Sequence, residues 1–286
     1  MSPKTTRKAN ISIDFTNLGD GLTSISCGHI VVELIKFLVY QRTQIPYTYP
    51  WLKQLINSKK NSESEKDSYQ SERHFFVAST ALSNLDFVIK SLLKEIEGAA
   101  QPQEVCVAFG ATPITCKEMY RLLLPAVCHK LQCHSAHIAS DRKIKDTVFR
   151  TLVTSDKLYS ENIFLETLSP TNMYVFIKKV PMTNQQAVCN DTFVQVTNGY
   201  RIPRSCKIIT FNFKGGNQEK TACCNDFQIF GDVLNQDLSK MSISDDEFNE
   251  IESTDKAIWF QSTYVMKGFK DCVVKDQSIT NTWLAS

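Results

Sequence analysis

The chain has no run of about 18 consecutive apolar residues, so nothing in it predicts a membrane span. No apolar stretch follows the opening residues Met1 to Lys8, which predicts that a secretory signal is absent. On that expectation the ten cysteines read as reduced thiols of an intracellular protein, and the glycosylation sequence Asn190-Asp191-Thr192 reads as inert. Runs of positive charge are missing too. The longest is Lys59-Lys60 and the formal net charge is +2, which argues against a nucleic-acid binder, because phosphate contacts need clustered Lys and Arg. With no long Pro/Gly/Ser linker, the 286 residues read as one large domain with insertions. G-x-S-x-G, H-E-x-x-H and Walker patterns are all lacking, and Lys214-Gly215-Gly216 has neither the glycine spacing nor the strand-to-helix context of a phosphate loop.

What is present is ordinary globular material, 42% hydrophobic and 22% charged. Its clearest signal runs from Cys27 to Pro46. Val31, Leu34, Ile35, Phe37, Leu38 and Val39 wrap most of a helical wheel, leaving a thin polar stripe of His29, Glu33, Lys36 and Tyr40. Gln41 stands four residues after Phe37, where the apolar stripe should continue. Arg42 and Gln44 extend this as a polar exit, and Pro46 forbids further helix.

Around this helix, alternation at Ile11, Ile13 and Phe15 predicts a first strand, and Trp51 to Ile56 a short helix. Ser58 to Ser71 is charge-rich and reads as a mobile loop. Phe75, Ala78, Leu82, Leu85, Ile89, Leu92 and Ile96 mark a long amphipathic helix from Glu72 to Glu97, stopped by Gly98 and Pro102. Val105 to Phe109 is a short strand. A third helix, Asp141 to Val153, has Ile144, Val148 and Leu152 inward and Phe149 at the margin of that face. Strands follow at Asn172 to Val180, Phe193 to Val196 and Lys207 to Phe213, the last ending in a hairpin signal at Lys214 to Asn217. An acidic run, Asp245 to Asp255, belongs in solvent, and Ile258 to Met266 is a final strand. Helices early and strands late predict an α+β fold.

Three groups of residues carry reactive side chains. Cys128-His129, Cys133-His134 and His137 offer zinc-type ligands at spacings that match neither a knuckle nor a helical pair. Cys27 and His29 are two apart on a helix and point in different directions. Cys223-Cys224 reads as structural. Exposed Gln and aromatic groups on rigid helices suit binding better, and Gln41 and Phe149 are such groups.

Leu22 to Pro46, Tyr200-Arg201-Ile202-Pro203, Ile258-Trp259-Phe260-Gln261 and Lys267-Gly268-Phe269-Lys270 closely resemble, in order, blocks of the comet family. These are binding proteins of the mitotic-arrest-deficient-two (Mad-two) spindle-checkpoint protein. The resemblance implies a HORMA-like fold, with about three core helices on an antiparallel sheet and a C-terminal safety-belt-like segment. It implies no catalysis and no cofactor. The partner would be closed Mad-two, bound by imitating its dimerisation partner. A Pch-two-type AAA+ ATPase would then act on the complex, silencing the checkpoint. Gln41 falls on a family contact glutamine and Phe149 on a contact phenylalanine, while Trp259, Phe260 and Phe269 would make the self-contacts of the belt.

The resemblance further implies a protein monomeric alone, found in nucleus and cytoplasm and at the spindle or kinetochore in mitosis. Residues 1–9 would be a flexible tail, 10–271 a single domain with mobile loops near 57–71 and 215–257, and 272–286 an extension beyond it. The family's Pro-Lys pair before the Tyr-Arg-x-Pro block is replaced here around Val194-Gln195-Val196-Thr197. Two alternatives stay open: a HORMA protein that captures a peptide in an empty belt, and a thiol or zinc enzyme.

Overall fold

The structure, a computed structural model, describes residues 10–15, 18, 22–61, 68–98, 100–125, 141–160, 163–180, 189–197, 199–214 and 257–283. Strand β1 (Asn10–Asp14) is followed by helices α1 (Ser24–Gln41), α2 (Tyr49–Asn61) and α3 (Tyr69–Glu97), then strands β2 (Glu104–Gly110) and β3 (Cys116–Leu123). Helices α4 (Asp141–Val153) and α5 (Asp156–Ser160) precede β4 (Asn172–Lys179), β5 (Phe193–Gln195) and β6 (Lys207–Asn212). The C-terminal part holds β7 (Ile258–Ser262), β8 (Met266–Lys267), β9 (Val273–Val274), β10 (Gln277–Ser278) and α6 (Ile279–Thr282).

The main sheet has the order β1-β6-β3-β2-β4-β7-β5, with β8 also on β4. It is mostly antiparallel, as an α+β fold allows, but β6 runs parallel to both β1 and β3. The antiparallel sheet expected from the sequence is thus mostly, not wholly, antiparallel. Strand β6 thus has a neighbour on each edge, β1 and β3. Of the hairpin turn expected after Phe213, 215–217 lie outside the described residues.

Both faces of the central strands are covered. Along β2, Val105, Val107 and Phe109 face the helices, while Cys106 and Ala108 face a second cluster with Met119, Phe176 and Cys206. Tyr200, Ile202 and Trp259 close that second face, so the Tyr200-to-Pro203 block acts as its cover. Strand β3 was invisible in the sequence. Its residues Lys117, Glu118, Met119 and Arg121 favour helix by intrinsic preference, and only pairing between β2 and β6 makes them a strand.

Helix α1 begins three residues before the periodic reading placed it, because Thr23 caps it. Ser26 N–H donates to Thr23 Oγ1 at 3.1 Å and Thr23 N–H to Ser26 Oγ at 2.8 Å, a reciprocal capping box. Leu34, Ile35, Leu38 and Val39 are fully buried, each contributing about 1.5–3 kcal/mol. Gly28 lets α3 approach closely, since a Cβ there would stand 3.0 Å from Leu93 Cδ2. By mean hydropathy and length, α1 and α3 do reach the size of membrane spans, which a count of strictly consecutive apolar residues misses. They pack against each other, and their apolar residues share one core with the sheet.

The segment expected as a loop at 57–71 is helical at both of its ends. α2 continues to Asn61 and α3 starts at Tyr69 behind an N-cap Ser68, with 62–67 outside the described residues. The final strand is broken: after Ser262 the chain leaves the sheet and rejoins β4 only at Met266 and Lys267. Residues 272–283 do not extend away from the domain. Trp283 is 1% exposed, packs on Phe75 and His74 of α3, and donates its indole N–H to Ser71 Oγ at 3.2 Å. Segments 1–9, 215–256 with the acidic run and Cys223-Cys224, and the Cys128-to-His137 cluster lie outside the described residues.

Candidate docking surface at the end of helix α1

Helix α1 ends without glycine. Thr43 N–H bonds Tyr40 O and Gln44 N–H bonds Val39 O, both at 2.9 Å, a double closure that requires the left-handed region at Thr43, where φ is 53°. A side chain in that region costs about 1–2 kcal/mol. The Thr43 hydroxyl donates to Leu168 O at 2.7 Å, offsetting part of that cost.

Arg42 and Gln44, expected to lead outward, are buried. The Arg42 guanidinium is 1% exposed and grips Glu118 of β3 with two bonds, Nε to Oε2 at 2.8 Å and Nη2 to Oε1 at 2.7 Å. Its Nη1 donates to Ile163 O and Glu166 O, each at 2.8 Å. A planar fork with this many donors can tie three segments together, which a single ammonium could not. Gln44 donates to Arg42 O at 2.6 Å and accepts from Thr171 N–H at 2.8 Å. The polar residues after α1 are therefore internal struts.

These struts fix Gln41. It is half-buried as the last residue of α1 and lines two clefts. One, about 470 Å³, lies among Tyr40, Ile45, Leu168, Pro170 and Phe269. The other, about 190 Å³, lies among Phe37, Leu152, Val153, Phe164 and Leu165. Phe149 stands on α4, half-buried, edge-on to Phe37 at 5.6 Å, and Phe164 meets Phe37 from another side at 5.8 Å. Phe37, one turn before Gln41, thus links the two side chains singled out in the sequence. Tyr40, Val153 and Leu165 are exposed around them, giving an apolar surface with an amide at its rim.

Among the residues assigned to a belt, Phe260 is buried on the helix-facing side of the sheet, while Trp259 packs on the opposite face against Tyr200 at 6.0 Å. Alternation in β7 separates them. Phe269 is buried against His74, with ring centres 5.8 Å apart. Its N–H donates to Gln44 O at 2.9 Å, so the C-terminal segment is bonded to the turn that holds Gln41. Gly268 is needed for this passage, since a Cβ would stand 2.8 Å from Gln44 Oε1 and 2.9 Å from Thr171 O.

Beyond Phe269 a polar cluster fastens the chain. Tyr47 OH donates to Asp271 Oδ2 at 3.0 Å, Thr280 Oγ1 to Asp271 Oδ1 at 2.5 Å, and Thr280 Oγ1 lies 2.9 Å from His74 Nε2. Burial holds His74 below its ordinary 6.5, although Asp271 pulls the other way. Burial would raise Asp271, but hydrogen bonds from Ser278, Thr280 and Tyr47 hold it below 3.8.

Within the stripe of His29, Glu33 and Lys36, the last two acquire a structural role. Lys36 Nζ bonds Glu33 Oε1 at 2.9 Å and lies 4.6 Å from the Tyr49 ring centre, seating the start of α2. Sequence reasoning missed Phe164 and Leu165, which sit in an irregular segment with no period to expose them. It also missed Glu118, 76 residues from Arg42. No group of three or more His, Cys, Asp or Glu among the described residues could hold a metal ion.

With this geometry in place, comparison with protein-family models matches residues 15–234 to the family described as "p31comet: Mad1 and Cdc20-bound-Mad2 binding". No curated protein matches the chain.

Proposed function

The chain belongs to the p31comet family, and from that membership we propose that it is a non-enzymatic, HORMA-like adaptor that docks on closed Mad2 through the surface carrying Gln41 and Phe149. The observation that carries the proposal is the Phe37, Phe149 and Phe164 cluster beside Gln41, seated by the buried Arg42–Glu118 pair. An apolar centre with a polar rim on a rigid support is what a hot spot needs, because little ordering is left to pay for on binding. The reading extends to imitation of Mad2's dimerisation partner, and to presentation of the complex to a Pch2-type AAA+ ATPase that disassembles it and silences the checkpoint. It places this protein in nucleus and cytoplasm and at the mitotic spindle, monomeric alone. The edge of β4 that a captured peptide would occupy is filled by β7 and β8 of the chain itself, which favours the adaptor over a peptide-capturing relative.

The test is co-elution of purified protein with closed Mad2 on size exclusion, comparing Gln41→Ala and Phe149→Ala singly and together. Loss of an aromatic hot spot of about 2 kcal/mol weakens binding roughly thirty-fold, and the pair should abolish co-elution. A folded double variant that binds undiminished refutes the assignment.

A further inference from the structure

The second face of the sheet holds two thiols at the entrances of neighbouring strands. Cys116 opens β3, and Cys206 immediately precedes β6, its parallel neighbour. Their sulfurs are 3.3 Å apart, both residues are buried, and 90 positions of chain separate them. Tyr200 covers them: its hydroxyl lies 3.8 Å from Cys116 Sγ, donates to Pro113 O at 3.0 Å, and its ring stacks on Phe176 at 4.0 Å. Nothing in the docking proposal uses this pair.

We propose that Cys116 and Cys206 form an oxidisable dithiol, closed to a disulfide by hydrogen peroxide and reopened by a small-molecule thiol. The step needs a thiolate, a second sulfur within reach and a small oxidant. The hydrogen bond that Cys116 shares with Cys206 outweighs burial and lowers the Cys116 thiol to about 7, which favours its thiolate. Cys106, in the same apolar cluster, is held well above its ordinary value by burial and by Glu104, so it stays a thiol. The Cys116 thiolate attacks one peroxide oxygen and the O–O bond breaks, leaving a sulfenic acid and, with one proton, water. Cys206 then attacks the sulfenic sulfur, the S–O bond breaks, and a second water leaves with the proton of the Cys206 thiol. Two thiols and one peroxide become one disulfide and two waters. The sulfurs must close by about 1.3 Å to reach a bond length near 2.0 Å.

The experiment treats the full chain with hydrogen peroxide, quenches with iodoacetamide in denaturant, and maps peptides by mass spectrometry without reduction. The expected product is a Cys116–Cys206 cross-linked peptide two hydrogens lighter than its parts, lost on adding dithiothreitol. Its formation should raise Tm by about 5 °C, because a long loop is closed in the unfolded chain. Cys206→Ser should instead leave Cys116 as a sulfenic acid that a dimedone probe captures, with no rise in Tm. Recovery of both residues as alkylated thiols while Cys189 or Cys272 oxidises, or their conversion to sulfinic acid without a cross-link, overturns the proposal. The wild-type map decides the matter even if the variant fails to fold.

Discussion

Replacing Arg42 with Met removes a buried cation and leaves its partners in place. Glu118 keeps a carboxylate that is only 8% exposed, with Tyr120 OH at 3.0 Å as its remaining donor among the described residues. Breaking a buried pair on one side costs about 3–5 kcal/mol, because the surviving charge is stranded. The carbonyls of Ile163 and Glu166 also lose their donor, and the first of these belongs to a fully buried residue. A stranded buried acceptor alone costs roughly 1–3 kcal/mol, but these losses overlap and do not add. We expect a net loss of about 4 kcal/mol, read as a lower denaturation midpoint in urea with unchanged slope and as a fall in Tm of about 8 °C. The double variant Arg42→Met with Glu118→Leu should be more stable than Arg42→Met alone, because no orphaned charge remains. A loss below about 1 kcal/mol for the single variant, or a double variant less stable than the sum of its parts, would refute the account of Arg42 as the strut beneath Gln41.

Gly268→Ala should cost about 1–3 kcal/mol by forcing the β8 exit away from Thr171 and Gln44, measured by urea unfolding; an unchanged midpoint would show that the backbone yields freely there. The C-terminal fastening should also weaken in acid. The folded pKa of His74 lies below its unfolded 6.5, so the unfolded chain binds more protons and stability falls as pH drops below about 6.5. Asp271, held below 3.8 by its hydrogen bonds, contributes stability that is present above that value and disappears as pH falls through its folded pKa. Tm measured from pH 7.5 to 5 should decline in the wild type and flatten in His74→Gln, and parallel curves would exclude His74 as the source.

Periodicity alone placed α1, α3 and α4, because each carries an apolar stripe whose spacing survives any tertiary arrangement. The same periodicity put Phe149 at the margin of its helix and Gln41 at the end of another. The resemblance added a role for both, and the fold joined them through Phe37. Periodicity could not place Arg42 or Gln44 correctly. A charged or amide side chain after a helix reads as solvent-facing until the fold supplies Glu118, Leu168 and Thr171 as partners, and those lie 76 to 127 residues away. Strand β3 was lost for a related reason: helix-favouring residues become strand only between two strands that need their backbone bonds. The C-terminal residues read as an extension because they run beyond the blocks that carry the resemblance, yet Trp283 is core.

What this sequence determined by itself is therefore the strongly periodic elements, fixed by side-chain spacing, and the family resemblance, carried by short blocks in order. What only tertiary structure decided is which polar residues turn inward and which irregular segments complete the docking surface. Burial of charge is settled by partners distant in the chain, and no local pattern encodes them.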